Sequence, residues 1–188
     1  MSTTKLQWEL FDEILTYKAT ESIDKYIQSF DINQADATGS TLLHVMVSLG
    51  NPELVAYVLN KGATVDVIDG NGFTPLALAS SSYFTESVKV LLNAGADVNL
   101  GKGIFPLIQA IYRYATTRST TVIETLLEHG ADPNIRARTG LTATDYAKHW
   151  GYEKVVKLID IHEADLERQR LGAMIQVVAR TTNQKMKL

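Results

Sequence analysis

The chain repeats itself. Thr41-Leu42-Leu43-His44 returns as Thr74-Pro75-Leu76-Ala77 after 33 residues, and Gly62-Ala63 returns as Gly95-Ala96 at the same interval, then as Gly130-Ala131 after 35. The endings Gly95-Ala96-Asp97-Val98-Asn99 and Gly130-Ala131-Asp132-Pro133-Asn134 differ at a single position. A glycine also recurs just before each unit's first helix, at Gly39, Gly72, Gly103 and Gly140. A period in the range of roughly 20–50 residues dictates an array of small units, each able to bury its apolar face only against its neighbours.

The chemistry of one unit is legible. Thr41 and Thr74 are placed to cap a helix N-terminus, and Pro75 occupies the first helical position, where its missing N–H costs nothing. A short apolar helix is expected over Leu42–Leu49 or Pro75–Ser81. A second helix then carries Leu54, Val55, Val58 and Leu59, or Val88, Val90, Leu91 and Leu92, at helical spacing. Gly62 or Gly95 supplies the left-handed residue that ends it. A Gly-containing turn such as Asp69-Gly70-Asn71-Gly72 leads onward.

These units resemble the ankyrin repeat, whose signature joins T-P-L-H-x-A to G-A-D-V-N on a period of about 33 residues. The resemblance implies an all-α ankyrin-repeat solenoid of stacked helix pairs with short β-hairpin turns and a concave binding face. It divides the chain into an ankyrin-repeat domain at 1–162 and a C-terminal helix or tail at 163–188. Within the domain, 5–35 reads as a degenerate N-terminal capping repeat with helices over Leu6–Tyr17 and Thr20–Ser29. Full repeats follow at 36–68, 69–99, 100–135 and 136–162. His44 matches the T-P-L-H histidine, which the resemblance assigns to hydrogen bonding between neighbouring repeats.

The third full repeat departs from the pattern. It has Phe105 at the Thr position and Ile108 at the His position. Phe105 to Gly130 spans 25 residues where Thr74 to Gly95 spans 21, which suggests an insertion between its two helices around residues 114–119. Thr142-Ala143-Thr144-Asp145-Tyr146-Ala147 resembles a variant seen in terminal ankyrin repeats. Beyond it, Ala164–Arg180 reads as a helix interrupted by Gly172.

Chemistry other than binding finds little support. The absence of cysteine excludes disulfides, thiolate metal sites and thiol catalysis. His44, His129, His149 and His162 form no metal-ligand spacing. Gly70-x-Gly72 and Gly101-x-Gly103 lack the third glycine of a dinucleotide fingerprint; prolines 75 and 106 stand there instead. No G-x-S-x-G is present. The expectation is therefore a protein that is not an enzyme and needs no cofactor and no metal. Neither a signal-peptide core nor a membrane-length apolar run occurs, and a cytoplasmic location with no membrane partner follows as the expectation.

Charge gives direction to the binding question. Residues 1–98 carry 5 Lys and Arg against 12 Asp and Glu, whereas 99–188 carry 13 against 9, so a quasi-linear array has an acidic end and a basic end. In a repeat array, specificity sits on positions that folding does not require. Register places Phe73, Lys102, Ile104, Tyr112, Arg113, Tyr114, Arg138, Leu141, His149 and Trp150 there as candidate partner-binding residues. Tyr, Trp and Arg are enriched at interface hot spots. The function expected is a monomeric protein–protein interaction module, adaptor or inhibitor, binding another protein with an acidic surface. The alternatives are a bacterial immunity-type protein that neutralises a toxin and a secreted bacterial effector that binds a host protein. A nucleic-acid partner is the remote alternative, because the overall pI is about 5.8 and no nucleic-acid motif is present.

Overall fold

The computed structural model describes residues 20–185. All of the regular structure among them is helical: α1 (Thr20–Ser29), α2 (Leu42–Ser48), α3 (Pro52–Asn60), α4 (Pro75–Ser82), α5 (Thr85–Asn93), α6 (Pro106–Thr117), α7 (Thr121–Glu128), α8 (Ala143–His149) and α9 (Glu153–Lys185). The helix expected over Leu6–Tyr17 lies outside the described residues. Contacts fall into two compact units, one ending at Tyr146 and the other beginning at Ala147, with α8 carrying the chain from the first to the second.

In the first unit helices stack by kind. First helices pack on first helices, α2 on α4 and α4 on α6, while second helices form the row α1, α3, α5, α7. Spacing explains the layering. Leu42, Leu43, Met46 and Val47 of α2 are buried, as are Leu54, Val55 and Val58 of α3, Val88 and Leu91 of α5, and Val122, Ile123 and Leu126 of α7. Fully burying one such side chain contributes about 1.5–3 kcal/mol, so the apolar rows dominate the stability of the stack.

Helix ends are specified by local chemistry. The α4 cap is the Thr74 hydroxyl, which accepts from the Ala77 N–H at 3.0 Å. At α8 the cap is reciprocal, with Asp145 N–H donating to Thr142 Oγ1 (3.1 Å) and Thr142 N–H to Asp145 Oδ2 (2.9 Å). Phe105 has no oxygen to offer, and α6 starts without a side-chain cap. Second helices stop identically: Gly62, Gly95 and Gly130 take positive φ, and the following N–H reaches back to the carbonyls of Val58, Leu91 and Leu126.

Two first helices end on a left-handed residue other than glycine, Tyr83 and Arg118. Such a conformation costs roughly 1–2 kcal/mol outside glycine. Tyr83 offsets part of it across the repeat boundary, because its hydroxyl accepts from the Val122 N–H of α7 at 3.3 Å. That N–H belongs to the first turn of α7, whose N-cap Thr120 makes no side-chain cap bond.

A polar ladder ties successive units at the other end. Asn33 accepts from Thr64 N–H (2.7 Å) and donates to Gly62 O (3.4 Å); Asn99 accepts from Asp132 N–H (2.8 Å) and donates to Gly130 O (3.0 Å). Between them stands Asp66, whose carboxylate accepts from Asp97 N–H at 3.1 Å but has no proton to donate in turn.

Four features differ from the sequence-based expectations. No strand occurs among the described residues: the turns at 36–40, 69–73 and 137–141 each close on one cross-turn backbone bond, such as Asp69 N–H to Phe73 O at 2.9 Å, rather than on a ladder. The extra residues of the third repeat lengthen its first helix instead of its loop, α6 having 12 residues where α2 has 7 and α4 has 8. Tyr114 therefore follows Ile111 by three positions and joins the buried face of α6. Finally, α9 runs through Gly172 without a break. A single interior glycine costs a helix only about 1 kcal/mol, too little to interrupt 33 residues.

Candidate protein-binding surface

The hairpin tips and first helices form one side of the first unit, and their side chains change character along it. At the tips of the first two full repeats a carboxylate braces the turn. Asp36 Oδ1 accepts from Thr38 N–H (2.7 Å), Thr38 Oγ1–H (2.6 Å) and Ser40 N–H (3.0 Å). Asp69 Oδ1 does the same for Asn71 N–H (3.0 Å) and Phe73 N–H (2.8 Å). Partial burial alone would raise the Asp36 carboxyl, but these donors outweigh it and hold it below the usual carboxylate range.

His44 links the same two repeats. Its Nδ1 accepts from Thr41 N–H at 3.2 Å, with Thr41 Oγ1 2.9 Å away, while Nε2 sits 3.2 Å from the Phe73 carbonyl. These partners fix the tautomer, Nδ1 bare and Nε2 protonated. Burial pushes the imidazole pKa down, against the weaker opposing pull of the Phe73 carbonyl and the nearby Asp69 and Asp36. The inter-repeat role implied by the T-P-L-H resemblance is what the geometry shows.

The next two tips are built differently. The positions equivalent to Asp36 and Asp69 are Leu100 and Ala137, so no carboxylate is available there. Lys102, Arg113 and Arg138 are exposed, and Ile104 and Phe73 are half-buried. Tyr112 and Leu141 are among the few large apolar side chains left exposed in this unit, at 42% and 37%. The Tyr112 ring lies 5.2 Å from Tyr146, whose hydroxyl also contacts Thr139 Oγ1. Burial, then hydrogen bonding and charge interaction with Tyr146, push the Tyr112 phenol up to about 12 even though much of the ring faces solvent.

Arg138 crosses the tips. Its Nε–H donates to Lys102 O at 2.8 Å, linking the last two turns. Arg136 turns back on its own loop through Nη1 to Gly140 O at 2.7 Å. Tyr114 does not belong on this surface: at 8% exposure it is part of the core, with the Arg118 guanidinium over its ring at 5.9 Å.

His149 and Trp150 fall in the second unit. His149 is exposed; Trp150 is half-buried, its ring 6.3 Å from His149 and 5.6 Å from Tyr152. Sequence reasoning missed an open depression of about 450 Å³ beside them, lined by Lys148, Tyr152, Glu153, Val156, Lys157 and Asp160 among others. The spacing of 153, 156, 157 and 160 on one helical face was the signal that could have shown it. No group of three or more His, Cys, Asp or Glu side chains suited to a metal ion occurs among the described residues, and no helix there is long and apolar enough to cross a membrane.

Residues 14–102 match the family described as ankyrin repeats (3 copies). An ankyrin repeat-containing protein of Treponema pallidum (strain Nichols) is 30% identical over 129 residues, 67% of this chain and 42% of its own length. The ankyrin repeat, SAM and basic leucine zipper domain-containing protein 1 of Echinops telfairi is 29% identical over 136 residues, 71% of this chain and 28% of the relative. Its counterpart from Carollia perspicillata is 34% identical over 112 residues, 58% and 24% respectively. The chain thus spans less than half the length of each of these relatives. Repeats of this kind are protein–protein interaction modules. With its 33-residue spacing, stacked helix pairs and inter-repeat histidine in place, the chain belongs to the ankyrin-repeat family.

Proposed function

We propose that this protein binds one partner protein, with an acidic surface, through the tips and first helices that follow residue 99. The carrying observation is a segregation of charge. The tip and first-helix segments 36–49 and 69–82 contain no Lys or Arg, whereas 100–118 and 136–141 contain Lys102, Arg113, Arg118, Arg136 and Arg138. Of the acids between residues 100 and 146, Glu124, Glu128 and Asp132 lie on α7 and the turn after it, on the other row of helices, and Asp145 of α8 is taken up in the cap with Thr142. Tyr112 and Leu141 add exposed apolar area between the cations, the mixture that interface anchors use.

In this reading binding is stoichiometric and without catalysis, and the chain acts as a monomer in the cytoplasm, as adaptor or inhibitor. The repeat array closes at residue 162, inside α9, with 163–188 as its extension. His149 and Trp150 contribute as a second, separate contact. The test is site-directed photocrosslinking in the native host, with a photoreactive amino acid at position 112 or 141 and, for comparison, at 48 or 81. A salt-sensitive adduct with one acidic protein from 112 and 141 alone is expected. Adducts from 48 and 81 alone would overturn the reading.

A further inference from the structure

Resting on that reading, we propose that Arg138 is a preset guanidinium fork, laid across the hairpin tips, that receives an Asp or Glu side-chain carboxylate of the partner protein. The side chain leaves the last turn and passes over Gly103, where a Cβ would lie 2.2 Å from Arg138 Cγ. Its Nε–H is anchored on Lys102 O at 2.8 Å. The head then reaches Gly72, two repeats back: a Cβ there would lie 3.1 Å from Nη2 and 3.6 Å from Ile104 Cδ1. Two glycines with positive φ thus leave the channel in which the arginine rests.

The anchoring decides the chemistry. With Nε committed to a carbonyl, Nη1 and Nη2 remain as a pair of parallel donors whose spacing matches the two oxygens of a carboxylate. No carboxylate of the described residues forms an ion pair with Arg138, although the residue is exposed. Of the other cations on this side, Arg136 closes its own turn, Arg118 lies over Tyr114, and Lys102 and Arg113 are exposed. A single fork beside the Ile104 methyl suits one carboxylate on a short aliphatic stem. A phosphate would call for several cations converging on one point. Because the side chain is already immobilised, little further ordering is needed when the partner binds.

The experiment uses the full chain labelled with 15N and a capped peptide of four Gly-Glu pairs as probe. The comparison probes are the capped Gly-Gln peptide, the same Gly-Gln peptide with a free C-terminal carboxylate, and inorganic phosphate. Saturable shifts at Arg138 Nε–H and at the Gly72 and Gly103 amides are expected with the Gly-Glu peptide, and not with the comparison probes. Both Arg138→Lys and Arg138→Gln should weaken the peptide about tenfold or more, since lysine keeps the charge and loses the fork. Equal or tighter binding of phosphate or of the free C-terminus overturns the side-chain carboxylate assignment. Full retention of affinity by Arg138→Lys overturns the fork. Shifts confined to Tyr112 and Arg113 overturn this inference and leave the acidic-partner reading standing; no saturable shift anywhere in residues 100–146 overturns both.

Discussion

The tips at 36–40 and 69–73 and those at 100–104 and 137–141 occupy equivalent places in the stack with different chemistry. In the first pair, Asp36 and Asp69 gather the N–H groups of their own turns, and the first helices end in serines and leucine. In the second pair that carboxylate is gone, and lysine, arginine, tyrosine and leucine occupy the side the tips share with α6. Beneath both, the core is alike: Leu91 of the regular half and Ile123 and Leu126 of the diverged half are all fully buried. The contrast shows that the buried helix faces and the glycines that end α3, α5 and α7 are kept from repeat to repeat, while the side chains of the tips vary.

The largest expected effect asks whether the two halves share a core. Leu91→Ala and Leu126→Ala should each destabilise the protein by about 2–5 kcal/mol in chemical denaturation, the range for emptying a buried leucine site. A diverged-half variant with an unchanged midpoint would show that only the regular repeats are packed.

Next in size is a pH effect confined to the regular half. His44 is held neutral by burial, so its folded pKa lies below the ordinary imidazole value of 6.5. Below that value the unfolded chain binds a proton that the folded chain resists. Stability should therefore fall as pH drops from about 7 toward the folded pKa, with a slope of up to about 1.4 kcal/mol per pH unit from this one group. Protonation would also set a proton on Nδ1 against the Thr41 N–H. The lowered Asp36 pKa acts in a separate and more acidic window: its contribution is present above the ordinary carboxylate value of 3.8 and is lost as pH falls through the folded value. Replacing His44 by glutamine should flatten the near-neutral slope; an unaltered slope would assign it to another residue.

Much of this contrast was readable in the sequence. The 33-residue spacing, the threonine caps and the buried Leu91 follow from local rules of helix capping and periodicity. The lengthened α6 did not, because periodicity sets where a helical face lies but not how far extra residues extend it. Tyr114 shows the consequence: as a loop residue it would have faced a partner, and as the fourth turn-mate of Ile111 and Ala110 it is buried. Register puts Arg138 at a hairpin tip, but its path over Gly103 to Gly72 depends on three turns coming together, which no local pattern encodes.

Two smaller predictions sharpen the structural side of the comparison. Asp66→Asn restores the donor that Asn33 and Asn99 supply at the equivalent positions, toward the Gly95 carbonyl, and should stabilise by about 0.5–1.5 kcal/mol, the worth of one net hydrogen bond. Thermal unfolding of the variant checks it, and a lower midpoint would mean that the charge at 66 is itself used. Ser87 Oγ is buried without a hydrogen-bond partner among the described residues, so Ser87→Ala should be neutral or stabilising by up to about 1 kcal/mol.

On the proposed function, the diverged, basic half is the half that binds. Its most direct test is the partner's dissociation constant for Tyr112→Ala and Arg113→Ala against Ser48→Ala and Ser81→Ala, all four first shown to be folded. Losses of about tenfold or more are expected for the first two, with association of the wild type more salt-sensitive than that of Arg113→Ala, and changes within about twofold for the serine variants. Larger losses from the serine variants would place the contact at the other end of the stack and contradict binding through the basic half.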